Sequence, residues 1–110
     1  MKGWRKVAET ADITVPVLIA VSALQGAMFW RQSAGVFLTL DGKRHVKAAA
    51  NGIGDIMGGY KSRGIAIETK TRTGRLRITQ KRFRSAWEKT GNIYIVARSP
   101  EHALEVLAKL

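Results

Sequence analysis

The sequence predicts an α/β fold, a mixed β-sheet flanked by helices. Three observations predict it. Apolar residues recur at helical spacing near both ends and once in between. Short runs with a period of two separate these segments. Gly-, Asp- and Pro-containing turn signals mark the joints. The order read along the chain is a helix, about three strands, a helix, a strand and a last helix.

The first apolar run, residues 15–24, follows a basic start at Lys2, Arg5 and Lys6. One reading is the apolar stretch of a secretory signal ending near Ala23, Gln25 and Ala27. Glu9 and Asp12 interrupt the basic part of such a signal, and the run is too short to span a bilayer. A buried helix is the better reading, with Thr14 as its N-cap and Pro16 in its first turn. Gly26 ends it, and Met28, Phe29, Trp30 and Arg31 start an extended segment.

Residues 35–40 read as a strand from Gly35, and Asp41-Gly42 is a two-residue hairpin signal returning through 44–47. Residues 51–59, from Asn51 through Gly52, Gly54, Gly58 and Gly59, read as a loop holding Asp55. They lack the spacing of a phosphate-cradling motif, so their glycines are expected to allow a close backbone approach. In 64–70, Ile65, Ile67 and Thr69 alternate with Ala66, Glu68 and Lys70. Thr73-Gly74 turns the chain. A helix is expected over 78–89 with Ile78, Phe83, Ala86 and Trp87 inward, closed by Gly91 at C′. Ile93, Ile95 and Val96 form a buried strand. Ser99-Pro100-Glu101 opens the last helix with a cap, a proline and an acid, and Leu104, Leu107 and Ala108 face the core.

The 110 residues suit one domain, 1–110, with 45% hydrophobic and 25% charged side chains. Nineteen Lys and Arg against eight Asp and Glu leave a net charge of +11, which favours polyanions and nucleic acid above all. The absence of cysteine excludes disulfides, thiolate chemistry and Cys-based zinc sites. With only His45 and His102 as imidazoles, any metal is expected to have oxygen ligands.

Chemistry concentrates at Asp55 and Glu68-Thr69-Lys70. Two residues apart on a strand, Glu68 and Lys70 share a face with their heads roughly 7 Å apart along the chain. If the Asp55 segment lies beside that strand, two carboxylates converge next to an ammonium. Two hard oxygen ligands suit Mg²⁺. A bound ion activates water, and Lys70 either stabilises charge on the phosphate or holds the attacking hydroxide. That set suffices to hydrolyse a phosphodiester. An E-x-K on a strand is also commonly a surface ion pair.

The joint spacing is more specific. Gly52-Ile53-Gly54-Asp55-Ile56, Ile67-Glu68-Thr69-Lys70, Gly74-Arg75-Leu76, Gln80, Phe83, Gly91 and Val96-Ala97-Arg98-Ser99 together resemble the VRR-NUC family, the virus-type replication-repair nucleases of the PD-(D/E)XK superfamily. Phe29-Trp30-Arg31 with Gly35 is similar to the family's early segment. The resemblance implies a restriction-endonuclease-like PD-(D/E)XK core and a Mg²⁺- or Mn²⁺-dependent endodeoxyribonuclease, similar to Holliday junction resolvases of phage or prophage origin. It implies Asp55, Glu68, Lys70 and Gln80 as catalytic residues, and Asp55, Glu68 and the Thr69 carbonyl as metal ligands. Gln80 would be an outer-sphere or phosphate-orienting residue, or simply a polar residue at a helix start. Gly54 stands where relatives usually carry proline or another small residue. The glutamate that relatives carry near the first helix has Glu9 or Asp12 as its counterpart, or neither.

Lys70, Arg72, Arg75, Arg77, Lys81, Arg82 and Arg84 gather around and after this motif. Arg77, Lys81 and Arg84 share a helical face, and Lys61 and Arg63 precede the catalytic strand. DNA phosphates are the expected partners of Lys61, Arg63, Arg72, Arg75, Arg77, Lys81 and Arg84. Trp4, Trp30 and Trp87 are expected in the core or an interface. Branched or four-way DNA, a homodimer and the cytoplasm of a bacterial or phage-infected cell complete the expectation, with no membrane partner. The rival readings are a non-catalytic DNA-binding module with the same fold and a secreted basic protein.

Overall fold

The computed structural model describes residues 9–32, 36–47 and 52–110. Trp4, Gly35, Asn51 and the basic start lie outside them, as does the side chain of Glu9. A π-helical turn, Glu9–Thr14, leads into α1 (Val15–Ser22). There follow β1 (Met28–Arg31), β2 (Val36–Leu38), β3 (His45–Lys47), β4 (Ile56–Tyr60) and β5 (Arg63–Thr69). The chain closes with α2 (Ile78–Lys89), β6 (Ile93–Ala97) and α3 (Pro100–Ala108). Among the described residues, no helix is long and apolar enough to cross a membrane.

Four strands form a mixed sheet in the order β1-β4-β5-β6, antiparallel except for the β5–β6 pair. The alternation read in 64–70 holds and divides the core in two. Ile65 and Ile67 pack with Val17, Val21, Ile95 and Leu107 beneath α1 and α3. Ala66 joins Met57, Tyr94, Phe83 and Trp87 beneath α2. The sheet is thus covered by helices on both faces, and β5 is buried on each.

β2 and β3 form a separate antiparallel hairpin. Its connection is longer than the two residues expected. The Thr39 amide donates to the Arg44 carbonyl, and Asp41 accepts from the Thr39 hydroxyl and the Lys43 amide. Those two donors hold the exposed Asp41 carboxyl below its ordinary pKa.

Four local expectations are corrected. The expected loop 51–59 ends at Asp55, since Gly58 and Gly59 lie within β4. A Cβ on Gly58 would meet the Met28 carbonyl oxygen at 2.1 Å, so this glycine lets β1 lie against β4. Thr14 is helical and spends its hydroxyl on Thr69 rather than capping α1. On α2, Ile78 is 61% exposed and Ala86 is exposed, leaving Phe83 and Trp87 as the inward pair. On α3, Ala103 is buried and Ala108 is exposed. Ser99 caps α3 as read, its hydroxyl accepting the His102 amide at 3.1 Å, and Gly91 follows α2 with φ +86°.

Candidate active site

A two-residue turn sets the site. Lys61 and Ser62, between β4 and β5, both have positive φ, 52° and 63°. This is the pair of left-handed residues that a type I′ hairpin requires. The register pairs Ile56 with Ile67. One step further out, Asp55 stands opposite Glu68.

Glycine lets the incoming loop approach so closely. A Cβ on Gly54 would lie 2.9 Å from the Ile67 carbonyl oxygen, and one on Gly52 would lie 2.1 Å from the Thr79 carbonyl oxygen. The loop is pressed against β5 on one side and the first turn of α2 on the other. No larger residue, proline included, fits at position 54 without moving that backbone.

Asp55 is then fixed by Thr69. Its Oδ2 accepts from the Thr69 amide and the Thr69 hydroxyl, both at 2.8 Å. The Thr14 and Thr69 hydroxyls meet at 2.5 Å. Because the Thr69 proton goes to Asp55, Thr14 is the donor in that pair. Among the described residues, Asp55 Oδ1 accepts no hydrogen bond, so one oxygen of the carboxylate is left for another ligand.

Glu68 and Lys70 form an ion pair of 3.6 Å with side chains only 4% and 8% exposed. Gln80 donates from Nε2 to the same Glu68 oxygen at 3.1 Å. Its Oε1 accepts the Arg77 amide at 2.7 Å. Gln80 thus joins the first turn of α2 to Glu68 through one side chain.

Tyr94 was not singled out by the sequence. Its hydroxyl is buried and has no hydrogen-bond partner among the described residues. Burial raises its pKa well above the ordinary phenol value, and the charges of Glu68 and Asp55 raise it further against the opposing Arg84. Both carboxylates thus act on a single hydroxyl. Its signal in the sequence is parity: Tyr94 pairs with Ala66 and so shares the Glu68 side of the sheet.

The basic residues divide. Arg75, Lys81 and Arg84 line one cavity beside the site, with Arg72 and Arg77 exposed nearby along the chain. Lys61 and Arg63 are not brought to it. They lie at the opposite end of β5 from Glu68, and the Lys61 ammonium donates to the Leu110 carbonyl at 2.9 Å. Trp87 packs in the core and donates to the Ile93 carbonyl, whereas Trp30 is 47% exposed.

Among the described residues, no three His, Asp or Glu side chains gather as a metal cage. Asp12 is half-buried and joins no such group. The donors present are the Asp55 and Glu68 carboxylates, with the Thr69 carbonyl leaving β5 on the same edge as the amide that binds Asp55. An all-oxygen set of this size fits Mg²⁺ or Mn²⁺, which complete their shell with water and phosphate. No family model matches the chain, and no curated protein or solved structure is significantly similar to it.

Proposed function

We propose that this chain is a metal-dependent endodeoxyribonuclease of the PD-(D/E)XK type, akin to the VRR-NUC family, that hydrolyses phosphodiester bonds in branched DNA such as four-way junctions. The observation that carries the reading is the buried Glu68–Lys70 pair with Asp55 held opposite it. Burying two charges costs several kcal/mol of desolvation per ion, and an apolar pair of similar size would hold the strand end as well. Such a pair is better explained by chemistry than by stability.

Asp55, Glu68 and the Thr69 carbonyl would hold Mg²⁺ or Mn²⁺. The ion when bound lowers the pKa of a water and offsets phosphate charge. Lys70, fixed by Glu68, offers its ammonium to charge that develops on the phosphoryl oxygens, in a site where burial strengthens the interaction. Gln80 keeps Glu68 from rotating. Arg72, Arg75, Arg77, Lys81 and Arg84 offset the repulsion between the carboxylates and a DNA backbone. The reading extends to a homodimer acting on both strands of a junction, in the cytoplasm of a bacterial or phage-infected cell.

Cleavage of single-stranded, duplex, flap and four-way DNA, with and without Mg²⁺ or Mn²⁺, tests this. Cleavage should stop in EDTA and in Asp55→Asn and Glu68→Gln, with DNA binding unchanged or tighter. Undiminished cleavage in chelator would overturn it. Binding without cleavage under every condition would leave a DNA-binding module.

A further inference from the structure

A cavity of about 370 Å³ opens beside the site, lined by Arg75, Leu76, Lys81, Arg84, Val96 and Arg98. Four of these six residues are cations and none is an acid. Val96 pairs with Glu68 across the parallel ladder. Neighbouring strands run about 4.8 Å apart, so the cavity begins one strand away from the catalytic acid.

Arg98 is already fixed in place. Its Nη1 donates to the Thr71 carbonyl at 2.5 Å and the Gly74 carbonyl at 2.7 Å, bolting the guanidinium to the turn that follows Lys70. Those bonds use the hydrogens of one nitrogen and leave the N–H groups of Nε and Nη2. Arg84 lies over the Tyr94 ring and pairs with Glu88 at 3.4 Å. Among the described residues, no carboxylate is within ion-pair reach of Arg75, Lys81 or Arg98. Three uncompensated cations facing one small cavity repel one another until an anion enters. Guanidinium donors match the oxygens of a tetrahedral phosphate, and Leu76 and Val96 bring no competing acceptor.

We infer that this cavity is a discrete phosphate subsite. It holds a nucleic-acid phosphate adjacent to the one addressed by Asp55 and Glu68, either an internal diester or a terminal 5′-monoester. The inference rests on the nuclease reading for its choice of nucleic acid, but its test needs no cleavage.

The test is equilibrium binding of the full chain to labelled duplex and four-way DNA in EDTA. One set of DNAs carries a single neutral methylphosphonate moved along the backbone, and a second set carries 5′-phosphate or 5′-hydroxyl ends. Arg75→Gln with Lys81→Gln removes two exposed cations whose side chains bond none of the described residues. This double variant should bind at least about 10-fold more weakly, and its log–log salt slope should be shallower by about 2. At one backbone position the methylphosphonate should weaken the wild type and leave the double variant unaffected, assigning an internal diester. Loss in the variant of a wild-type preference for 5′-phosphate would assign the terminal group. Effects that multiply at every position, with no end preference, would mean a diffuse basic surface and overturn the subsite. Coupling at one position in a protein that never cleaves would leave the subsite standing and the nuclease reading refuted.

Discussion

Thr69 gives Asp55 two hydrogen bonds, from its amide and from its hydroxyl, each 2.8 Å long. Thr69 is also the residue between Glu68 and Lys70. The acid that arrives on a loop is thus tied to the strand that carries the other two groups, through a side chain on the far face of that strand. The chain of hydroxyls from Thr14 through Thr69 ends on the carboxylate.

Thr69→Val keeps the shape and the amide bond but removes the hydroxyl. It takes away the Thr69 oxygen that the Thr14 hydroxyl meets and loosens Asp55. A loss of about 2 kcal/mol in urea unfolding is expected, the scale of a hydrogen bond to a charged group. Cleavage should fall with it, and Thr69→Ser should recover both. A Thr69→Val protein with unchanged stability would mean the hydroxyl does not hold Asp55.

Removing Lys70 has two separable effects. Lys70→Met should cut turnover by ~10²-fold or more. It should also destabilise the fold by about 3–5 kcal/mol, because it leaves Glu68 charged and buried. Adding Glu68→Gln should restore most of the stability and none of the activity. Activity that returned with stability would make the pair purely structural.

Tyr94 carries a buried hydroxyl with no partner among the described residues, a state that costs about 1–3 kcal/mol. Tyr94→Phe should therefore raise the melting temperature. The pH dependence follows from the raised pKa. The folded protein holds the phenol proton more tightly than the unfolded chain, so this contribution is complete below about pH 10 and is lost as pH rises further. Thermal melts from pH 8 to 11 should show the wild type losing stability sooner than Tyr94→Phe. Equal alkaline slopes would refute the assignment.

Ser62 sits at φ +63° without being glycine, in the turn that sets the register of Asp55 against Glu68. Ser62→Gly should stabilise by about 1 kcal/mol, the size of the left-handed penalty it relieves. A drop in stability would place the strain elsewhere.

Val17 and Val21 of α1 are fully buried, while Val15 and Ile19 are 39% and 66% exposed. Part of this apolar helix is therefore uncovered in one chain, as a homodimer would require. Sedimentation at micromolar concentration should give twice the monomer mass, and Ile19→Glu should halve it. A wild-type monomer that still cleaves would remove the junction-resolving part of the proposal and leave the nuclease part.

Local patterns in the sequence already carry much of this fold. Period-two alternation in 64–70 marked the buried strand and put Glu68 and Lys70 on one side. The spacing of Phe83 and Trp87 marked α2, and Ser99 with Pro100 marked the start of α3. These features depend on neighbours a few residues away. Three decisions belonged to tertiary structure. The four glycines of 51–59 look like a loop, but Gly58 and Gly59 lie in a strand, and β1 packs against the bare backbone of Gly58. Lys61-Ser62 has none of the usual composition of a tight hairpin turn, so the register that sets Asp55 opposite Glu68 was not legible. Charge alone grouped Lys61 and Arg63 with Arg75 and Lys81. The length of β5 separates them, since adjacency in sequence does not survive a seven-residue extended strand.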